Sequence, residues 1–320
     1  MAVGIPEYRL PRDILAHEIS YLEKLGVEFK MNCEIGKDIP MKDIVNNFDA
    51  VIVAVGKHRG RTGTDIVSSS IYSAGDFLRT VSLEREKLSL GEKVLVIGGG
   101  DVAMDCARTS IRIKGVKEVY SACLEGSFDE MTASKEEVKG AYDEGINFYH
   151  GQGIKEIVIS DNKIQNVKLK KCLSLFDENR NFAPVYDENQ ITDLKADTII
   201  FAIGQAVDGK FADGILTQRK NSTFECDPAT LQSKDNKKIF ITGDASGESV
   251  IVIQAMATGR RAAESVDRFL QNKDLLSGRK IEDTKSYDTK LVREVNWEDI
   301  KERRLEINEL DPKERIKSFA

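Results

Sequence analysis

The amino-acid sequence predicts an α/β chain of two domains, and three observations carry that expectation. Apolar runs at residues 49–56 and 196–204 each end in glycine and have the unbroken character of strands buried on both faces. Between them, residues 93–123 read as strand, glycine turn, helix and strand. At 320 residues the chain is long enough to bury two cores of ordinary size.

Taken in order, positions 13–25 place Leu15, Ile19, Leu22 and Leu25 at three- and four-residue spacing, the period of one helical face, and Gly26 follows as a helix stop. A strand is expected at 27–31, a short helix at 41–47 and the first buried strand at 49–56, followed by a turn-rich connector at 57–70. Residues 93–97, 101–114 and 116–123 form a βαβ unit, whose right-handed crossover makes its two strands parallel. A helix at 135–144 leads into a strand at 146–149, and two β-rich runs within 154–175 flank Asp161-Asn162 as a hairpin or meander.

The second buried strand is at 196–204. The stretch 238–245 gives another strand ending in a turn, and 250–270 reads as a long helix carrying the small residues Ala255, Gly259, Ala262 and Ala263. Beyond 271 the chain is polar and charged, with one helical piece at 297–310, and reads as a docking tail or linker.

Composition narrows the partners. Forty-seven basic and 53 acidic residues give a net charge of -6, and the two signs are interspersed, which argues against a nucleic-acid surface or an anionic membrane. No apolar run approaches the roughly 20 residues of a membrane helix, and the first 30 residues lack the order of a secretory signal, so a cytoplasmic protein is expected. The five cysteines, Cys33, Cys106, Cys123, Cys172 and Cys226, are odd in number and widely spaced, which suits buried thiols and offers no CxxC pair. His17, His58 and His150 lack ligand spacing, so no metal site is expected.

Within the βαβ unit, Gly98-Gly99-Gly100-Asp101-Val102-Ala103 has the spacing GxGxxA. One glycine permits a tight turn, another lets backbone approach a pyrophosphate, and a small residue sits where helix meets strand. Amides at the helix start then face the phosphates, which makes this a candidate nicotinamide dinucleotide site of the Rossmann type. Asp101 adds negative charge there, and its side chain is expected to point away. Glu125, past the second strand, can accept hydrogen bonds from a ribose 2′-hydroxyl and would repel a 2′-phosphate. Thr242-Gly243-Asp244-Ala245 ahead of a long helix places a carboxylate beside a helix start, suited to a polyol hydroxyl and to negative charge on a reduced ring.

A wider pattern then stands out. The succession Gly4-Ile5-Pro6-Glu7-Tyr8-Arg9-Leu10-Pro11, VIVAVG (51–56), VIGGGDVAMDCART (96–109), Glu130-Met131-Thr132-Ala133-Ser134, IIFAIGQ (199–205), DPATLQS (227–233) and ITGDA (241–245), followed by Gly259-Arg260-Arg261-Ala262-Ala263, resembles the glutamate synthase small (beta) subunit family. Relatives of that family include the flavin-binding half of dihydropyrimidine dehydrogenase. The resemblance covers residues 1–272 and extends weakly into Pro312 to Phe319.

It implies two Rossmann-like domains, an NAD(P)H-binding domain at 57–205 inserted in a partial FAD-binding domain at 1–56 and 206–272, with a docking tail at 273–320. It implies hydride transfer from the nicotinamide to FAD, and electrons passed on to an iron-sulfur domain or a partner protein. Residue by residue, Arg9 matches an arginine that reaches the flavin nucleotide and Ile35 a backbone contact to its adenine end. Gly243 and Asp244 match the ribityl-binding turn, and Ile251, Val252 and Ile253 start the helix that approaches the flavin ring. Gly99, Gly100, Asp101 and Val102 match the nicotinamide dinucleotide turn, with Ala202, Ile203 and Gly204 as its second contact strand.

Two departures shape the expectation. Many members place an arginine pair where this chain has Leu124-Glu125-Gly126-Ser127-Phe128, so NADH is expected over NADPH. The family's first glycine turn, for the FAD pyrophosphate, and its cluster cysteines lie upstream of the motif that here opens the chain. The chain is therefore expected to be a shortened product, the result of a frameshift, or one half of a split protein, with FAD retention weakened. Because the cofactors carry hydride chemistry, no side chain is assigned a catalytic role. The competing expectation is a dinucleotide-binding module without catalysis, docking through its tail onto a larger complex.

Overall fold

The computed structural model describes residues 1–247, 251–279 and 308–319. Its elements up to the sheet core are α1 (Arg12–Lys24), α2 (Met41–Asn47), β1 (Val51–Val53), β2 (Arg59–Gly60), β3 (Ile71–Ser73), α3 (Ala74–Glu84), β4 (Lys93–Ile97), α4 (Asp101–Ser110) and β5 (Glu118–Ala122). They continue with α5 (Lys135–Asp143), β6 (Asn147–Tyr149), β7 (Gln152–Ser160), β8 (Lys163–Phe176), β9 (Phe182–Leu194), β10 (Thr198–Phe201), β11 (Gln205–Ala206), β12 (Ile239–Ile241), α6 (Val252–Leu270) and α7 (Pro312–Arg315). The first residue of the helix expected at 250–270, and all but the end of the one expected at 297–310, lie outside the described residues.

The chain divides into two compact units. One comprises residues 1–32, 57–206 and 311–320, the other 33–56 and 207–310. Residues 1–32, expected beside 33–56, and the end of the expected tail thus group with the first unit, because Arg9 and Arg315 are locked by charge onto α4 and α5.

In the first unit a five-stranded parallel sheet has the order β3-β10-β4-β5-β6. Successive side chains of a strand point to opposite faces, and the packing follows that alternation. Val94, Val96, Val119 and Ile200 join a core with Phe77, Met104 and Val138 of the helices. Leu95, Tyr120, Ile199 and Phe201 face Ile164, Val167, Leu169 and Leu194 of the antiparallel sheet β7-β8-β9. Asp161 and Asn162 take φ of 51° and 59° between β7 and β8, the left-handed pair that a tight hairpin requires.

Several elements differ from expectation. β3 and α3 were not anticipated; Ser73 caps α3 by accepting from Asp76 N at 3.2 Å. Helix α4 stops at Ser110 because the next turns tighten, with Arg112 N donating to Thr109 O and Ile113 N to Ser110 O. No strand forms at 27–31, where Val27, Phe29 and Met31 are exposed. A strand needs a neighbour for its backbone groups, and none pairs with this stretch among the described residues. Helix α1 likewise buries no residue.

The second unit centres on the parallel pair β1-β12, against which Met41, Phe224, Leu231 and Ala262 pack. Its first strand is not buried on both faces as expected, since Ile52 is 44% exposed. No helix among the described residues is long and apolar enough to cross a membrane.

Candidate functional site

Strand β4 ends at Ile97 and α4 begins at Asp101, with Gly98, Gly99 and Gly100 between them. Close approach of backbone demands the first of these glycines, while the second faces the movable end of a side chain. Gly98 has φ of +142°, and a Cβ there would lie 2.4 Å from Ala202 O; a Cβ on Gly99 would lie 2.4 Å from Glu125 Oε2. Ala103 is fully buried where α4 crosses the sheet.

Backbone bonds fix the turn: Gly98 N donates to Ala122 O at 2.9 Å, and Ala133 N donates to Gly99 O at 3.0 Å. The Asp101 carboxylate accepts from Ser134 N at 2.8 Å, so it is spent on the start of α5. No side chain caps α4. The first N–H groups of a helix have no intrahelical acceptor, which leaves those of Asp101 and Val102 to a ligand anion.

Glu125 is held from behind. Its carbonyl accepts from Gly151 N at 2.7 Å, and the following loop is closed by Gly126 N donating to Glu130 Oε2 at 2.9 Å. His150 stacks on Phe148 and meets the edge of Phe128 at 4.4 Å, with Cys123 Sγ 3.6 Å from its Nδ1. Burial, joined by the charge of Glu125, pushes the Cys123 thiol up to about 12; burial lowers His150 below the ordinary imidazole value. Both groups are therefore neutral supports. Sequence reasoning missed this aromatic backing, although Phe148 on β6 and His150 just past its end stand at i, i+2 spacing.

At the end of β10, Ala202 N donates to Ile97 O at 2.8 Å. Ile203 is 43% exposed, and Gly204, at φ +104°, accepts from Arg61 N at 3.3 Å. The structure thus brings Gly98 to Ala103, Glu125 and Ala202 together, with Ile203 and Gly204 continuing from that edge.

Arg9 stands in a different setting. Its Nη1 donates to both Asp105 carboxylate oxygens, at 2.8 and 2.9 Å, and its Nε lies 2.9 Å from Glu137. The cluster continues through Arg108 to Glu137 and Glu144, and Arg112 and Arg315 reach Glu144 at 2.6 and 2.9 Å. The Tyr8 ring lies against the Arg108 and Arg112 guanidinium groups. Burial pushes Asp105 up to about 7 against the pull of Arg9, whereas hydrogen bonds from Arg112 and Arg108 outweigh burial at Glu144 and hold it below the usual carboxylate range.

In the second unit, Gly243 takes φ of +63° after β12, and its N–H donates to Thr258 Oγ1 at 3.1 Å, tying the turn to α6. Asp244 is half-buried beside it. Ile251, Val252 and Ile253 open α6 and are exposed. Ile35 precedes Gly36, which has φ of +93° and presses on Phe211, and a cavity of about 650 Å³ is bounded by Ile35, Met41, Val53 and Phe211. Among the described residues of this unit no helix opens on a glycine turn like 98–100; α2 follows Pro40 and α6 follows Ile251.

A family model described as pyridine nucleotide-disulphide oxidoreductase matches residues 36–263. The chain is 36% identical over 276 residues to the NADP(+)-dependent formate dehydrogenase subunit beta of Moorella thermoacetica, covering 85% of this chain and 39% of that protein. It is 29% identical over 293 residues to the NADPH glutamate synthase small chain of Escherichia coli K12, covering 85% and 61%. With the NAD-dependent dihydropyrimidine dehydrogenase subunit PreT of Escherichia coli O157:H7 it shares 30% over 268 residues, covering 84% and 59%. The chain therefore spans between 39% and 61% of the length of these relatives.

Among solved structures, Mycobacterium tuberculosis FprA in complex with NADPH superposes with a TM-score of 0.68 at 15% identity, over 84% of this chain and 74% of that one. Thioredoxin reductase of T. acidophilum gives 0.51 at 17% identity, over 70% and 66%. These two share its fold. With more than half of its length inside the family match, and the glycine turn within that span, the chain belongs to the pyridine nucleotide-disulphide oxidoreductase family.

Proposed function

We propose that this chain is the electron-input part of an NAD(P)H-dependent flavoprotein oxidoreductase like the glutamate synthase small subunit, and that its first unit takes NADH in preference to NADPH. The observation that carries this is the Glu125 carboxylate lying against Gly99 in the glycine turn. A carboxylate there accepts from the ribose 2′-hydroxyl and repels a 2′-phosphate. Residues 124–128 supply no cation to offset it.

The chain's own residues bind and orient. Gly98 and Gly99 have no Cβ to fill the cradle, the amides of Asp101 and Val102 take the pyrophosphate, and Ala202, Ile203 and Gly204 border the reactive half. FAD, when bound, supplies the two-electron acceptor for the hydride. Asp244 would hold a ribityl hydroxyl, the start of α6 would stabilise negative charge on the ring, and Ile35 would meet the adenine end. The pyrophosphate of FAD has no matching glycine turn among the described residues of the second unit, so firm retention of FAD is expected to need one from elsewhere. An iron-sulfur domain or partner would receive the electrons in the cytoplasm. The relatives' names, all of oxidoreductase chains, favour this over a module that only binds.

The test is a titration of the purified protein with NADH and NADPH, read by nicotinamide fluorescence, then anaerobic addition of FAD with the visible flavin absorption followed. Tighter binding of NADH by about tenfold and bleaching of supplied flavin are expected. Equal affinity would remove the coenzyme preference, and binding of neither would remove the function.

A further inference from the structure

At the far end of α4 from the glycine turn, the first unit encloses a cavity of about 360 Å³. Its walls come from stretches far apart in the chain: Val3 and Ile5 near the start, Leu78 and Val81 on α3, and Phe319. These side chains make most of the lining apolar. Five polar residues interrupt it, Glu7, Arg12, Ser82, Arg85 and Thr109, and two of their atoms are buried without a hydrogen-bond partner: Thr109 Oγ1, on a residue 1% exposed, and Arg85 Nε. The buried Tyr8 phenol beside Thr109 is placed to donate to that hydroxyl oxygen, which leaves the Thr109 proton as the donor facing the cavity.

The remainder of Arg85 is committed. Its guanidinium stacks on the Phe319 ring at 3.6 Å, and its Nη2 lies 3.4 Å from Glu7 at the rim, where both side chains are more than a third exposed. Arg12, the second cation of the lining, donates to the carbonyls of Leu10 and Ile5 and so shapes the wall. Buried donors are almost always satisfied, and a pair left unmet at the edge of a cavity calls for an acceptor placed inside it.

We propose that this cavity binds a small monocarboxylate with a short apolar tail, the carboxylate accepting from Arg85 Nε and the Thr109 hydroxyl. Two donors match the two oxygens of one carboxylate. Glu7 at the rim disfavours a more highly charged anion. At about 30 Å³ for a water-sized group, the volume takes on the order of ten heavy atoms, enough for a six-carbon acid. The assignment stands apart from the dinucleotide reading, since no residue of that site lines this cavity.

Calorimetric titration of the full chain with sodium hexanoate, with hexan-1-ol as an uncharged probe of similar volume, tests it. Hexanoate is expected to bind one to one and at least tenfold more tightly than hexanol. Arg85→Gln is expected to weaken hexanoate about tenfold, as a charge-assisted bond would, and Thr109→Val about fivefold. The valine variant keeps the side-chain volume, so it carries the test if Arg85→Gln fails to fold. Hexanol binding as tightly as hexanoate, no binding of hexanoate, or unchanged affinity in the folded variants would each overturn the proposal. NADH affinity, measured on the same samples, is expected to stay constant.

Discussion

The Glu125 carboxylate and the Gly99 backbone are in such close contact that a methyl group on Gly99 would stand 2.4 Å from Glu125 Oε2. Coenzyme choice and turn geometry are therefore joined in one pair of residues. Gly99→Ala must swing the carboxylate aside, and is expected to weaken NADH binding about threefold in a fluorescence titration. Glu125→Arg replaces repulsion of a 2′-phosphate by attraction and is expected to reverse the preference toward NADPH. Unchanged preference in that variant would take Glu125 out of coenzyme recognition.

Glu144 has a fully buried carboxylate that meets three arginines, Arg108, Arg112 and Arg315. Removing one partner of a buried ion cluster strands the rest, and typically costs about 3–5 kcal/mol. Glu144→Gln is expected to lose stability in that range, measured by urea unfolding. Its carboxyl is held below the ordinary value, so its contribution is present above that value and fades as pH falls through the lowered one. On acidification the natural chain should lose more stability than the glutamine variant.

Asp105 behaves with the opposite sign. Burial pushes it from 3.8 up to about 7, so the folded state holds the proton more tightly than the unfolded state between those values. Its contribution is complete below the lower value and is lost as pH rises through the higher. Arg9→Met is expected to deepen the loss, destabilising the protein more at pH 8 than at pH 5, and Asp105→Asn on that background should flatten the pH dependence. Parallel urea midpoints at the two pH values decide it.

How far the fold could be read from the residues depended on distance along the chain. The βαβ unit was legible because strand, turn and helix signals at 93–123 are local, whereas the atoms that crowd Gly98 and Gly99 belong to Ala202 and Glu125, far along the chain. The strand expected at 27–31 carried a sound pattern, but a strand exists only when another pairs with it, and pairing is not a local property. The arginine and carboxylate cluster was hidden for the same reason. Asp105 and Arg108 on α4, Arg112 just past its end, and Glu137 and Glu144 are separated along the chain, and only the tertiary fold brings Tyr8, Arg9 and Arg315 onto them.

Thiol chemistry offers a further check. Cys106, Cys123, Cys172 and Cys226 are buried, and burial pushes Cys123 up to about 12. Thiolate is the reactive form, so these groups should resist alkylation in the folded protein. Half-exposed Cys33 is expected to react first with iodoacetamide at neutral pH, as mass spectrometry of the native chain would show. Rapid labelling of Cys123 would contradict the buried aromatic backing of Glu125.

Helices α4 and α5 are gripped from both ends of the described chain, by Arg9 near one and by Arg315 and Ser318 near the other. Closing a loop of that span costs entropy that grows only with the logarithm of its length, so the length of the loop weighs little on final stability but heavily on timing. The first unit should collapse around its sheet early and shut its charge cluster late. The closing step, driven by opposite charges meeting across a long loop, should slow as salt is added, giving refolding an ionic-strength-dependent final phase.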